Sequence, residues 1–518
     1  MLFSTTHVPA VWAGRHLSCR AFRRRWASKL SMNRARDRFS ILTNQAVSKQ
    51  SVLDRVALRD KAPPGSPSPN ASAILVSKDL SRWLDDTDFM SALLQQLHPN
   101  AGGSDQELSV LTAAVDGLCP RSPRGPPSSG LSILQGDAAT ILPGLWDREA
   151  PTASLRQLNE DARPALSVRL SPFLGDFRPV DVTLPLANTV FENARPFTLL
   201  ASRWRAGGAG ASSTGALTLV DAFEKETQRI AAATEQSIQS HADVSTPLFP
   251  LTPPRKIIAG LGNIVREVEA HGSMDGEENA RPASEELETS MHDIIAKRSR
   301  RLPGIPVPNR TWALVVPPNS ACLDFLVKFF GCMVSFKSEH EAADGFARNF
   351  SKVLADGGRL HRVLSGGGGW GAKRGLLSLD PETRYSSSGA QDLESFIASF
   401  GGEATADGLA TPGSYVQFLV EPMPLLSPGS TNQAGGRLPS LVLGTTPAQI
   451  EGDEKAEPTP SSAWLAAGHF GALSSNGIFL SLESGAGSEA ARGSRPHTTL
   501  TKVDVPNAYV WQGMSRWI

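Results

Sequence analysis

The sequence has few cysteines and no long apolar run. Its four cysteines, Cys19, Cys119, Cys322 and Cys332, are too few and too scattered for a disulfide framework or a zinc site. Cys322 and Cys332 fall in an apolar run and are expected as buried thiols. No stretch reaches the roughly 18 apolar residues of a spanning helix. The best run, from Leu323 to Phe336, is interrupted by Asp324 and Lys328. The histidines form no H-x-x-x-H or H-E-x-x-H pair, and no G-x-S-x-G occurs, so the common zinc- and serine-hydrolase signatures are missing. His340, between Glu339 and Glu341, reads as a solvated residue at a helix start, and Asp380 before Pro381 as a turn former. No repeat of roughly 20–50 residues is present.

Hydrophobic residues are also scarce, at 40%, while Gly 46 and Pro 38 are abundant. Much of the chain is therefore expected as linker. Net charge is zero, but its placement is uneven: up to Arg38 there are nine Lys/Arg and one acid, Asp37, leaving the remainder at about −8. A body of that sign does not wrap nucleic acid, so RNA contact would need local basic patches.

The first 36 residues carry eight basic and no acidic residues among scattered Ser, Leu, Phe and Trp. That is the composition of a mitochondrial transit peptide; a secretory signal would need an apolar core of about 7–15 residues. Cleavage is expected between Trp26 and Ala27, with Arg24 three residues before the cut, and the mature protein in the matrix. The alternative is a basic arm that binds nucleic acid in place.

Along the chain, KAPPGSPSPNAS and CPRSPRGPPSSG read as hydrophilic linkers. Between them Leu80, Trp83, Leu84, Phe89, Leu93, Leu94 and Leu97 recur near helical spacing, closed by Pro99, and predict a helix pair. ALSVRLSPF, PVDVTLPLANTVF and PFTLLASRW predict strands, with Val180, Val182, Leu184 and Leu186 on one face. Helices are predicted for 223–241, for 254–272 on a stripe of Ile257, Ile258, Leu261, Ile264, Val265 and Val268, and for 284–301. RTWALVV predicts a buried strand, and the length of CLDFLVKFFGCMVSF favours helix. SEHEAADGFARNFSKVLADGG predicts a helix with a Ser338–Glu341 capping box, Arg348 and Lys352 together on another face, and a stop at Gly357. RLHRVLS and GLLSLD predict strands either side of a glycine loop. YVQFLVEPM, GIFLSL and KVDVPNAYVW predict isolated strands, free either to return to a sheet begun at 165–205 or to stand apart from it.

The fold class expected is α+β: one modest core of mixed strands and amphipathic helices, with Gly/Pro/Ser-rich disordered linkers and tails. Its parts are a leader and basic arm (1–40), a mostly disordered stretch with short helices (41–164), strands (165–205) and a linker with amphipathic helices (206–301). A compact α/β segment with the glycine loop (310–385) and a low-complexity tail with a few returning strands (386–518) complete it.

The loop LSGGGGWGAKRGLLSLDP satisfies G-x-G-x-x-G from Gly366, yet Gly375 and Pro381 leave no room for the helix a dinucleotide site needs. Ala372 displaces Lys373 from the Walker position, and Arg374 stands where a magnesium-binding hydroxyl belongs. Two binding readings and a bland one remain. Gly366, Gly367, Gly368 and Gly369 would expose N–H groups to phosphates, Trp370 would stack on a base, and Lys373, Arg374, Arg359 and Arg362 would supply charge. The same loop would serve as a protein-docking element, or be a plain glycine hairpin with Trp370 packed on the body. Alternation puts Arg359 and His361 on one face of the preceding strand and Leu360 and Arg362 on the other.

The segments LPLANTVFENARPFTLLASRW and FLVKFFGCMVSFKSEHEAADGFARNFSKVLADGGRLHRVLSGGGGWGAKRGLLSLDP resemble a group of fungal mitochondrial proteins, fungus-specific components of the mitochondrial small ribosomal subunit. The resemblance covers about 80 of 518 residues. It implies a non-enzymatic, RNA-associated matrix protein acting in mitochondrial translation, with mitochondrial ribosomal proteins and ribosomal RNA as partners. It supplies no catalytic residues, no metal and no cofactor. The alternatives are a mitochondrial assembly or maintenance factor outside the ribosome, and a nucleotide-dependent enzyme using the glycine loop.

Overall fold

A computed structural model describes residues 38–43, 47–59, 68–99, 107–120, 125–148, 164–170, 179–206, 216–232, 241–270, 280–301, 310–366, 375–385, 409–423, 438–446, 463–483 and 498–513. Residues 1–37, with the expected cleavage position at Trp26 and Ala27, lie outside them.

In chain order the strands begin with β1 (Arg38–Thr43), β2 (Ala71–Ser77), β3 (Leu108–Val115), β4 (Ser129–Gly136), β5 (Ala165–Leu170), β6 (Val180–Pro185), β7 (Leu199–Ala206) and β8 (Leu217–Glu224). There follow β9 (Thr227–Ile230), β10 (His241–Ser245), β11 (Phe249–Pro250), β12 (Arg255–Leu261), β13 (Ile264–Glu269), β14 (Ala280–Pro282), β15 (Thr311–Val316) and β16 (Arg359–Gly366). Last come β17 (Leu377–Leu379), β18 (Tyr415–Val420), β19 (Leu441–Thr445), β20 (Trp464–Ala467), β21 (Phe470–Ser474), β22 (Ile478–Glu483), β23 (Thr498–Val503) and β24 (Tyr509–Gly513). Helices are α1 (Lys49–Ala57), α2 (Thr87–Leu97), α3 (Ala138–Ile141), α4 (Val190–Asn193), α5 (Ala283–Arg301), α6 (Leu323–Gly331) and α7 (Glu339–Ala355). The α+β expectation holds.

The strands form four sheets. One has seven strands in the order β20-β1-β4-β2-β3-β7-β8. Its β2 and β3 are parallel, and both are buried nearly throughout, as the apolar runs ASAILVS and LSVLTAAV require. A second has five strands, β23-β22-β6-β5-β9, and a third four, β10-β24-β19-β21. In the fourth, β18 pairs with β12 on one side and β15 on the other, so β12, β13, β17, β16, β15 and β18 close into an antiparallel barrel. Closure removes the exposed edges of those six strands.

Three packed regions follow from this layout. The largest cluster joins all four sheets and α7, through residues such as Leu42, Val182, Leu184, Trp312, Phe346 and Leu441. The opposite face of the seven-stranded sheet is covered by α1 and α2, with Val52, Met90 and Leu93 buried. The barrel interior holds Ile257, Val265, Ala313 and Phe418, with Leu287 of α5 packed on it.

Several expectations hold in detail. Val180, Val182, Leu184 and Leu186 are all fully buried. Of the C-terminal segments, GIFLSL forms β22, which pairs with β6, and Lys502 and Val503 end β23 beside it. YVQFLV instead forms β18 of the barrel, and YVW lies in β24 of the four-stranded sheet; β7 also leaves the sheet of β5 and β6 for the seven-stranded one. Helix α7 is capped by Ser338, whose Oγ accepts the Glu341 N–H at 3.1 Å, while Glu341 Oε2 accepts the Lys337 N–H at 2.8 Å. The capping box therefore closes one residue further back than expected.

Other expectations are corrected. The stretch 41–164 holds more than short helices: the end of β1 and all of β2, β3 and β4 lie in it, side by side in the seven-stranded sheet. Strands buried on both faces show no alternation, which hid them. The stretch 254–272 is a hairpin, β12–β13, rather than a helix. Its apolar residues fit both periods, but Gly262, at φ +57° in the two-residue connection between paired Leu261 and Ile264, makes the tight turn. In 223–241 the described residues give the end of β8, the four-residue β9 and the first residue of β10, not a helix. Cys322 is half-buried and Cys332 exposed, because only Leu326 of α6 is fully enclosed; Cys119 is the buried thiol. The tail also does more than return a few strands, since β18 to β24 reach all four sheets.

Candidate docking surface around the glycine hairpin

Strands β16 and β17 pair antiparallel, with Val363 opposite Leu379 and Gly366 opposite Leu377. Among the described residues, the first element after the glycine loop is a strand, β17, rather than the helix N-terminus that a pyrophosphate site needs. Gly367, Gly368, Gly369, Trp370, Lys373 and Arg374 lie outside the described residues. The described residue after the loop, Gly375, meets the start of α5, where its carbonyl oxygen accepts the Ser284 N–H at 3.5 Å. At that end Glu286, 3% exposed, is paired with Arg281 and with Arg255 Nε at 3.2 Å. Burial lowers the pKa of both guanidiniums.

Arg359 and Arg362 stay on opposite faces of β16, as alternation requires. Arg362 is exposed and stands opposite Trp312 of β15; Arg359 is half-buried and stands opposite Val315. Beyond Arg362, Leu364 is 55% exposed at the irregularity where Val363 and Ser365 face neighbouring residues of β17. Below them Trp312 donates its Nε1–H to Asp504 at 2.7 Å, and Arg310 lies 3.8 Å from Glu421. Burial raises the pKa of Glu421, against the pull of Arg310, Arg298 and Arg362. His361 is buried and donates Nδ1–H to Asp380 O at 2.9 Å.

After β17 the chain turns at Asp380, whose Oδ1 accepts the Glu382 N–H at 3.0 Å, in keeping with its expected turn role. Residues 380–385 then cross the outer face of the five-stranded sheet, tied down by Lys502 to Asp380 at 3.4 Å and to Glu382. Burial alone would lower the pKa of Lys502, but its bond to Glu382 and the charge of Asp380 raise it. Tyr385 meets Phe479 edge-on at 5.5 Å. Between strap and sheet runs an open groove of about 280 Å³, lined by Ser167, Thr183, Thr227, Arg384, Tyr385 and Phe479 among others. Its lining contains no histidine or cysteine to act as base or thiol nucleophile. Its hydroxyls and one guanidinium suit hydrogen bonding to an extended polar chain.

Sequence reasoning did not anticipate the serine–histidine contacts of the seven-stranded sheet. Ser40 meets His469 Nδ1 at 2.8 Å and Ser132 Oγ at 2.9 Å, and Ser72 meets His98 Nε2 at 2.8 Å. Such distances suit a nucleophile and base. However, Ser40, Ser72 and Ser132 are fully buried and His469 and His98 are 1% and 4% exposed, so no substrate reaches them. Burial lowers the pKa of His469 to about 3 and of His98 to about 4, keeping both neutral. Their work is to satisfy polar groups inside the core. Among the described residues no group of three or more His, Cys, Asp and Glu is placed to hold a metal ion.

Comparison of the chain with protein-family models, with curated proteins and with solved structures finds no match in any of the three.

Proposed function

We propose that the protein is a non-enzymatic component of the mitochondrial matrix, a structural or accessory part of the mitochondrial small ribosomal subunit acting in translation. The structural observation that supports this reading is the paired β16 and β17 of a closed barrel, with Arg362 and Leu364 exposed on β16 where it runs toward the glycine segment. A rigid base with a basic, partly apolar surface suits docking to RNA and protein together. The leader composition supports the matrix address, and the resemblance supports the ribosomal partner.

The test is sedimentation of tagged protein from salt-washed mitochondrial lysate. Co-migration with the small subunit is expected. Migration as a free species would favour an assembly or maintenance factor that binds protein partners outside the ribosome.

A further inference from the structure

Helix α6 and the turn after it, Met333–Ser335, come from the most apolar stretch of the chain, yet much of that stretch faces solvent. Leu326 is buried, and Phe325 and Phe329 stack on Phe346 of α7. The opposite side shows Val327 at 57% exposure and Val334 at 95%, with Phe330 half-exposed between them and Cys332 exposed. Val327 and Phe330 lie three apart on α6, and Val334 stands in the separate 3-10 turn just beyond its end, so the exposed apolar side chains follow one another along one short stretch of surface. No helix among the described residues is long and apolar enough to cross a membrane.

Basic residues fringe this stripe. Ile294 of α5 packs on the same cluster as Met333 and Phe336, and Arg298 of α5 pairs with Glu339 at the start of α7. These contacts bring the last turn of α5, with exposed Lys297, Arg300 and Arg301, next to exposed Lys337. Lys328 is paired with Asp324 at 3.6 Å and cancels it. The remaining acids, Asp293 and Glu341, are fewer than the remaining cations, Lys297, Arg300, Arg301 and Lys337.

We infer that this surface seats on an anionic lipid bilayer, with Val327, Phe330 and Val334 dipping into the headgroup boundary and the α5 terminus lying over lipid phosphates. An exposed apolar stripe with a cationic border, on a helix too short to span, is the physical signature of interfacial attachment. A protein partner would also cover the apolar stripe. The excess of cations at its border favours an anionic surface instead. The inference does not depend on the ribosomal reading, because it uses a different face and different residues.

The test is flotation of the full-length protein with phosphatidylcholine vesicles, with and without an anionic phospholipid. Binding is expected on the anionic vesicles and is expected to weaken with salt. Because the basic leader adds the same background to every sample, variants supply the comparison. Val327→Asp with Val334→Asp should lower partitioning about tenfold, and Lys297→Glu, Arg300→Glu and Arg301→Glu together about a hundredfold. All substituted side chains are exposed, and unchanged circular dichroism would confirm folding. A fluorophore on Cys332, in a Cys19→Ser background, should shift to the blue on anionic vesicles and stay unshifted on neutral ones. No shift, or variants that float like the parent, would overturn the inference. A shift that follows protein concentration without lipid would assign the stripe to a second copy and also overturn it.

Discussion

Arg298 and Glu339 form a two-pronged ion pair, Nε to Oε1 at 3.0 Å and Nη2 to Oε2 at 2.9 Å. The Arg298 side chain is 1% exposed, and its Nη2 also donates to Glu421 O at 2.6 Å. Glu339 Oε2 in turn accepts the Met423 N–H at 2.9 Å. One contact thus ties the end of α5, the start of α7 and the chain leaving the barrel. Removing one partner leaves a buried charge without its counterion, which costs about 3–5 kcal/mol. Glu339→Ala is therefore expected to lower the urea midpoint strongly, and Arg298→Met with Glu339→Leu less than the sum of the singles. A double-mutant cycle on unfolding midpoints checks this.

Three enclosed histidines make stability depend on pH. Burial lowers His98 and His361 to about 4 and His469 to about 3, whereas in the unfolded chain each titrates near its ordinary 6.5. As pH falls below about 6.5 the unfolded state takes up protons that the folded state refuses, so stability drops. It is whole above that pH and falls by up to about 1.4 kcal/mol per unit for each histidine until the folded value is reached. Urea unfolding between pH 7 and 5 should show the slope, and His361→Asn should remove about a third of it.

Gly130 sits in β4 opposite Leu42 at φ +132°. A Cβ there would stand 2.0 Å from Ile41 O. Strand β1 is itself clamped between β4 and β20, so its backbone has no room to retreat. Gly130→Ala is expected to cost roughly 2–4 kcal/mol through strain and overpacking. A thermal melt beside the parent protein measures it, and an unchanged melting temperature would contradict the geometry.

For the glycine hairpin, Lys373→Ala with Arg374→Ala should weaken assembly with the small subunit in a salt-sensitive way, while the melting temperature holds. Equal assembly at every salt concentration would refute RNA contact there. Millimolar ATP or NAD should leave the melting temperature unchanged, since a strand rather than a helix follows the loop.

Legibility in the sequence depended on whether a segment's partners were local. The α7 helix was readable because Ser338, Glu341 and the stripe of Phe346, Phe350 and Leu354 all lie within one element. The strands β5, β6 and β7 were readable from alternation and punctuation. The hairpin β12–β13 was not, because Ile257, Ile264, Val265 and Val268 satisfy a helical stripe as well as a strand face. Its deciding residues are glycines: Gly262 at the turn, and Gly260, where a Cβ would meet Ala410 O at 2.2 Å. Nothing near residue 257 reports the chain segment around Ala410. The candidate site was readable in part. The opposite orientations of Arg359 and Arg362 follow from alternation, whereas the strap over Phe479 depends on Lys502, 120 residues beyond Glu382.

Strand β1 starts at Arg38 and takes β20 as a neighbour, with Phe39 opposite Ala467 and Leu42 opposite Trp464. The first strand among the described residues therefore waits for one of the last. A chain emerging N-terminus first would expose the flank of Phe39 and Ile41 until residue 467 arrived, and any product truncated before 464 would keep that flank permanently. Such an unpaired apolar edge invites pairing between copies.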